Sequence, residues 1–141
     1  MAEAVYYERT TTFILTVTIP ADAPAYGKRV MNIIIPESGL TYTEYQAERP
    51  IYILDAYIRD ANDAPVDGVL RIIKNRERVL ATSVNVKSLV VTNPAKPHAF
   101  GGAIPFYDRT ELLQVEFLNT DPGGATAQTV KVHLEVLLEP A

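Results

Sequence analysis

The chain of 141 residues contains no cysteine, no tryptophan and only two histidines. The absence of cysteine excludes a disulfide framework, a thiolate metal site and a cysteine nucleophile. The two histidines, His98 and His133, fall in different predicted elements, whereas a zinc site needs several ligands placed together. The sequence therefore predicts no histidine-based metal site.

Long apolar runs and a surplus of positive charge are also lacking. No apolar stretch approaches the roughly 18 residues that a membrane span needs, and the N-terminal residues lack the basic and apolar regions of a signal peptide. There are 13 lysine and arginine residues against 17 acidic ones, which gives a net charge of -4. Because phosphate binding requires a basic surface, we expect no nucleic-acid partner. We also expect no membrane contact and no signal peptide.

A catalytic constellation is likewise missing from the sequence. The serines, Ser38, Ser83 and Ser88, lie outside any Gly-x-Ser-x-Gly context. The acidic residues are scattered rather than paired as glycoside chemistry requires. The glycine pairs at residues 101–102 and 123–124 precede no predicted helix, so they do not resemble phosphate loops. The sequence predicts a protein that is not an enzyme and that binds no cofactor.

The main pattern in the sequence is an alternation of apolar and polar residues. In residues 12–19 the apolar side chains alternate with threonines, and residues 129–138 alternate most strictly of all. This period of two is typical of strands with one face buried. The ten prolines lie between the apolar runs rather than inside them. Six further strands are predicted over residues 30–35, 51–59, 69–73, 79–82, 88–92 and 113–117, while residues 41–49 are either an irregular edge or one helical turn.

Strands of this length and spacing, with no segment of helical periodicity, indicate an all-β protein. The predicted architecture is a two-sheet antiparallel β-sandwich, jelly-roll-like, with an extended N-terminal arm. We expect the arm to cover residues 1–11 and the sandwich domain residues 12–141. The lack of cysteine, the prolines in loops and the frequent glutamate and arginine also predict a thermostable protein.

Residues 60–68 form the richest cluster of oxygen ligands. Asp60, Asn62, Asp63 and Asp67, together with backbone carbonyls, are the ligand types that Ca²⁺ prefers. The spacing departs from that of an EF-hand, because no glutamate follows at the required distance and no flanking helices are predicted. The same composition also predicts a turn, since Asp and Asn accept local backbone hydrogen bonds and proline presets the bend. We favour the turn and retain these four residues as calcium candidates.

Surplus apolar residues on strand faces predict a contact between subunits. Ile14 and Leu137 interrupt otherwise polar faces. The strand at residues 51–58 is predicted to be apolar on both faces, with Tyr57 on one face and Tyr52 on the other. Tyrosine favours interfaces because it buries a large area while keeping a polar group. The predicted interface residues are Val5, Tyr6, Tyr7, Ile14, Tyr52, Tyr57 and Leu137.

The arm at residues 2–11, the long first strand, the core at residues 50–139 and the loops at residues 93–97 and 121–124 together resemble the small jelly-roll and β-sandwich proteins of virus particles. These include phage head decoration (cement) proteins and small capsid proteins. No family motif matches, so no functional residue is carried over. The resemblance implies a structural virion protein that is made in the host cytoplasm and located in the virion. It also implies self-association, often as a trimer, and contact with a major capsid protein.

An alternative function is a carbohydrate- or receptor-binding module built on the same sandwich. Its site would be formed by the loops at residues 60–68, 93–102 and 119–127, because binding residues concentrate on loops that a rigid scaffold positions.

Overall fold

The computed structural model of the chain describes residues 9–46, 50–74, 79–90, 104–106, 111–122 and 124–138. In these ranges the chain forms ten strands in two antiparallel sheets, which confirms the predicted all-β sandwich. The strands are β1 (Arg9–Ile19), β2 (Lys28–Val30), β3 (Asn32–Ile35), β4 (Leu40–Tyr42), β5 (Ile51–Tyr57), β6 (Gly68–Lys74), β7 (Val79–Asn85), β8 (Ile104–Phe106), β9 (Leu113–Asn119) and β10 (Gln128–Leu138).

The larger sheet has six strands in the order β4-β3-β1-β10-β5-β8, and the smaller has four in the order β2-β9-β6-β7. The two longest strands, β1 and β10, contain 11 residues each and lie side by side at the centre of the larger sheet. Their antiparallel register runs from Arg9 opposite Leu138 to Ile19 opposite Gln128. The strands nearest the two ends of the chain thus form the middle of the domain.

The core lies between the two sheets and follows the predicted alternation. The inward side chains of β1 and β10 are almost completely buried, and they pack against those of β6 and β9. Burying a leucine, isoleucine or phenylalanine side chain stabilises the fold by about 1.5–3 kcal/mol, so these strands provide the main stabilisation. The apolar core cluster includes, from these four strands, Phe13, Leu15, Val17, Ile19, Leu70, Ile72, Leu113, Val115, Phe117, Val130, Val132, Leu134 and Val136.

Most strands differ from their predicted bounds by a few residues, and two of the differences are informative. The first strand begins at Arg9 rather than at residue 12, because residues 9–11 continue the pairing with β10. The predicted strand at residues 30–35 is two strands in different sheets, β2 and β3. The chain crosses between the sheets at Met31, which is buried and donates its backbone N–H to Val115 O at 2.8 Å. The alternation of exposed and buried residues continues through the crossing, so the pattern could not reveal it.

The strand predicted at residues 88–92 is wrong. Residues Val86–Leu89 form a 3₁₀ helix, and residues 91 and 92 lie outside the described ranges. Asn85 caps this helix, since its side chain accepts a hydrogen bond from Lys87 N at 3.0 Å. Val86 and Leu89 are three residues apart and both buried, which is the spacing of one 3₁₀ turn.

The ambiguous segment at residues 41–49 is an irregular edge as far as the structure describes it. Strand β4 covers only Leu40–Tyr42, and Tyr45 then forms an isolated antiparallel bridge with Leu113 of the other sheet. Residues 47–49 lie outside the described ranges. Residues 1–8 also lie outside them, so the division into an arm and a sandwich stays a prediction.

Candidate functional site

The outer face of the six-stranded sheet carries every predicted interface residue that the structure describes. These residues are Ile14, Tyr52, Tyr57 and Leu137. A regular β5 would place Tyr52 and Tyr57, which are five residues apart, on opposite faces. A bulge shifts the register of β5 opposite Glu135 and Val136, so Tyr52 pairs with Leu137 and Tyr57 with His133 on the same face. The predicted assignment of the two tyrosines to opposite faces is therefore wrong.

The central row of this face crosses four strands and has no charged side chain while His133 is neutral. Ile14 pairs with Ile34 on one side and with His133 on the other, and His133 pairs with Tyr57. The rings of His133 and Tyr57 stack at a centroid distance of 5.2 Å and an angle of 9°. Arg59 covers the Tyr57 ring with its guanidinium at 5.3 Å from the centroid. Tyr57 is therefore only 7% exposed, and it offers a partner little surface.

The environment of His133 favours its neutral form. Burial is the main reason that its pKa lies below the ordinary value, because desolvation disfavours the imidazolium. The positive charges of Lys131 and Arg59 lower the pKa further, and the carboxylate of Asp63 acts in the opposite direction.

Charged residues lie on both sides of the central row. On one side, Glu135 of β10 pairs with Asp55 of β5. On the other side lies Lys131, two residues from His133 on β10. Arg59 follows Tyr57 by two residues, and its Nη2 donates to Tyr57 Oη at 3.4 Å. The outer face therefore has an acidic row (Asp55 and Glu135) and a basic row (Lys131 and Arg59), with the central row between them. Asp55 is only 7% exposed and both acidic residues have contacts within the chain, so the partly exposed Glu135 is the acidic side chain of this row that a partner can reach.

Beyond the acidic row lies an apolar row that includes two of the predicted interface residues. Leu137 of β10 pairs with Tyr52 of β5, and Tyr52 pairs with Pro105 of β8. All three side chains are partly exposed, and so is that of Ile14 in the central row. Tyr52 has a contact within the chain, so only part of its surface is available to a partner.

Three loops meet at the end of the sandwich where β1 ends and β10 begins: residues 20–27, 60–67 and 119–122, here called the loop end. Asn119 connects two of these loops by hydrogen bonds. It is completely buried, and its Nδ2 donates to Pro24 O at 3.0 Å and to Asp121 O at 2.7 Å. Its backbone accepts from Tyr26 N at 2.6 Å and donates to Gly27 O at 3.1 Å. Among the buried side-chain atoms of the described residues, Asn119 Oδ1 alone has no hydrogen-bond partner.

The third loop is held by Asp67. Its N–H donates to Asp121 Oδ2 at 3.3 Å, and its carbonyl accepts from Thr120 N at 3.0 Å. The loop end thus brings together two of the three loops predicted for a binding module, those at residues 60–68 and 119–127. The third predicted loop, at residues 93–102, lies outside the described ranges.

The loop at residues 20–27 holds two non-glycine residues at positive φ. Asp22 has φ 59° and Tyr26 has φ 66°, a conformation that costs about 1–3 kcal/mol and persists only where the surroundings impose it. Tyr26 N donates to Asn119 O at 2.6 Å and Asp22 N donates to Gly124 O at 2.9 Å, so hydrogen bonds to two other segments provide that constraint. Tyr26 is 72% exposed, the largest value among the exposed apolar side chains of the described residues. No pattern in the sequence predicted this loop as a site. The one feature that could have indicated it is Asn119, a single polar residue at the end of an apolar strand.

The calcium candidates are distributed between a local turn and the loop end. Asp60 Oδ1 accepts from Asn62 N at 2.9 Å, and Asp63 N donates to Asp60 O at 2.8 Å, which closes the 3₁₀ turn at Ala61–Asp63. Asp67 instead bonds to the loop at residues 119–122. Within the described ranges no three acidic or histidine side chains converge as metal ligands would.

Val5, Tyr6 and Tyr7, the remaining predicted interface residues, lie outside the described ranges. In the part of the chain that the structure describes, no helix is long and apolar enough to cross a membrane. No protein-family model matches the chain, and the search of curated proteins finds no match. What can be proposed about function therefore depends on the surfaces described above.

Proposed function

We propose that the protein is a self-assembling structural subunit, of the capsid or capsid-decorating kind found in virus particles. The observation that carries the proposal is the gathering of Ile14, Tyr52 and Leu137 on the outer face of one sheet. The predicted jelly-roll-like form and the virion location belong to the same proposal. A surface that combines partly exposed apolar side chains with a few charges suits a subunit contact.

The outer face contributes to the contact through apolar area, so a charge placed within it weakens assembly. The test is Leu137→Lys, with Leu118→Lys as the matched control. Leu118 is also a partly exposed leucine on a strand, but it faces outward from the four-stranded sheet. Light scattering and negative-stain images should show wild type and Leu118→Lys as oligomers or particles, and Leu137→Lys as smaller species. A wild type that stays monomeric at high concentration would refute self-assembly.

The predicted arm is tested by deleting residues 2–8. The deletion stops there because Arg9 pairs with Leu138 and belongs to β1. We expect weaker assembly with an unchanged far-ultraviolet circular dichroism spectrum, since the sandwich remains complete. An oligomer of unchanged mass and stability would show that the arm has no part in the contact.

The loop end supports a second candidate function, a carbohydrate- or receptor-binding module. The specific observation is the display of Tyr26 by a loop with two residues at positive φ. Aromatic rings bury large area at interfaces and low conformational freedom reduces the entropic cost of binding. A calorimetric screen of glycans against wild type and Tyr26→Ala tests it. Heat that appears with wild type and disappears with the variant would support this candidate, and the absence of heat would count against a glycan ligand.

A further inference from the structure

The residues on the outer face are arranged so that the face is complementary to itself. On β10 the outward side chains Lys131 and Glu135 lie two residues before and after His133, about 7 Å from it in each direction. Asp55 of β5 lies two residues before Tyr57, and Arg59, just past the end of β5, lies two residues after it. In both places the charge on one side of the central row is opposite to the charge on the other side, but Asp55 is only 7% exposed, so the argument depends on Lys131 and Glu135 of β10.

The outward residues of β1 follow the same symmetry without charge. Ile14 is flanked by Thr12 and Thr16, and these in turn by Thr10 and Thr18, so the series has the same residue types in both directions. Ile14 is also the residue that pairs with His133. The centre of symmetry on β1 therefore coincides with the centre on β10, which is a consequence of the register between the two strands.

We infer that two copies of the chain pack their outer sheet faces together around a two-fold axis that runs along the Ile14–His133 row, across the strands. Rotation about this axis reverses the strand direction and leaves the central row opposite itself. Lys131 of each copy then lies opposite Glu135 of the second copy. Such a contact is isologous, because the same surface is used twice. The inference rests on the proposed self-assembly and specifies its geometry.

The charges favour this axis over a two-fold axis that lies in the same plane but runs parallel to the strands. A two-fold axis parallel to the strands would place the acidic row of one copy against the acidic row of the other, and basic against basic. Like charges brought together at an interface repel each other and weaken association, so that packing is disfavoured. Arg59 donates to Tyr57 Oη and covers the Tyr57 ring, and Asp55, the acidic residue that would lie opposite it, is only 7% exposed. We therefore assign the cross-copy pair to Lys131 and Glu135 rather than to Arg59.

Charge reversal with rescue tests the geometry. Lys131→Glu and Glu135→Lys each place like charges opposite each other, and we expect the dimer dissociation constant to rise about tenfold or more. The double variant exchanges the charges and should return the constant to near the wild-type value. Sedimentation equilibrium measures all four proteins, and thermal melts establish that each one is folded.

A second measurement needs no change of charge. The chain has no cysteine, so introduced cysteines are the only thiols. In the proposed dimer Thr12 of one copy lies opposite Thr16 of the other, so a mixture of Thr12→Cys and Thr16→Cys proteins should cross-link more efficiently than either variant alone. A short bis-maleimide is the reagent, because packed sheets are about 10 Å apart and a disulfide cannot span that distance.

The outcomes distinguish the inference from the proposed function. Rescue by the double variant, with preferential mixed cross-linking, supports the two-fold contact. Oligomers that are insensitive to both reversals, or a double variant that does not recover, overturn the two-fold contact and leave self-assembly standing. A monomeric wild type overturns both. A two-fold contact alone produces a dimer, whereas the virion proteins that the chain resembles often form trimers, so a wild-type trimer without dimers would also overturn the inference.

Discussion

Replacement of Asn119 tests how the loop end is held together. Its Nδ2 faces two carbonyl oxygens, those of Pro24 and Asp121, at 3.0 and 2.7 Å. Each hydrogen bond contributes a net of about 0.5–1.5 kcal/mol, so Asn119→Ala should lower the free energy of unfolding by about 1–3 kcal/mol. Removal of Oδ1, which is buried without a partner, offsets part of that loss.

The isosteric change Asn119→Asp should be more damaging at neutral pH than the change to alanine. It replaces the donor with a carboxylate oxygen that faces both carbonyls, and a buried charge without a partner costs about 3 kcal/mol or more. Burial should raise the pKa of the new carboxyl, so acidification protonates it and restores one donor. Urea denaturation at pH 7 should therefore show the wild type as the most stable protein, Asn119→Ala as the next and Asn119→Asp as the least stable. At pH 4 the difference in the free energy of unfolding between the two variants should be smaller. An aspartate variant as stable as wild type at pH 7 would refute this account of the amide.

Two further predictions concern packing and proton binding. Gly68→Ala should lower the free energy of unfolding by about 1–3 kcal/mol, because the added Cβ would overlap the Phe117 ring and lie 2.8 Å from Leu118 O; an unchanged urea midpoint would contradict it. Since the pKa of His133 is lowered in the folded state, the unfolded chain binds a proton first, and stability should fall as the pH drops below about 6.5. The free energy of unfolding of His133→Gln, measured by urea denaturation, should fall less than that of the wild type between pH 7.5 and pH 5. An equal pH dependence in the two proteins would show that His133 contributes nothing to it.

The sequence predicted those features of the fold that depend on local alternation. The long strands β1 and β10 were recognisable because apolar residues recur at every second position in each. Strands β6 and β7 were recognisable because apolar runs flank a polar segment at residues 74–78. The crossing at Met31 and the bulge in β5 were not, since both depend on which strand lies alongside. The 3₁₀ helix after Asn85 was missed although asparagine is a preferred helix cap, because the apolar residues that follow it also suit a strand.

The candidate sites show the same limit. Ile14 and Leu137 were recognisable as apolar interruptions of polar strand faces, which is local information. That they share a face with Tyr52 requires the register of β10 against β1 and β5, and for Tyr52 it also requires the bulge. The loop end is less accessible still to sequence reasoning. Asn119 acts there through Pro24, which is 95 residues away in the chain, and no local pattern indicates the partner of a single buried amide.

The two proposed surfaces belong to different parts of the sandwich, which affects how the two functions relate. The outer face lies on the six-stranded sheet, whereas Tyr26 precedes β2 at the edge of the four-stranded sheet. Packing of two copies through the outer face leaves Tyr26 outside the contact. A subunit that assembles through one sheet therefore still presents the loop end to another molecule. Because symmetric assembly repeats that surface, a ligand that carries several linked binding groups and can reach more than one copy would be bound with a higher apparent affinity than one copy provides.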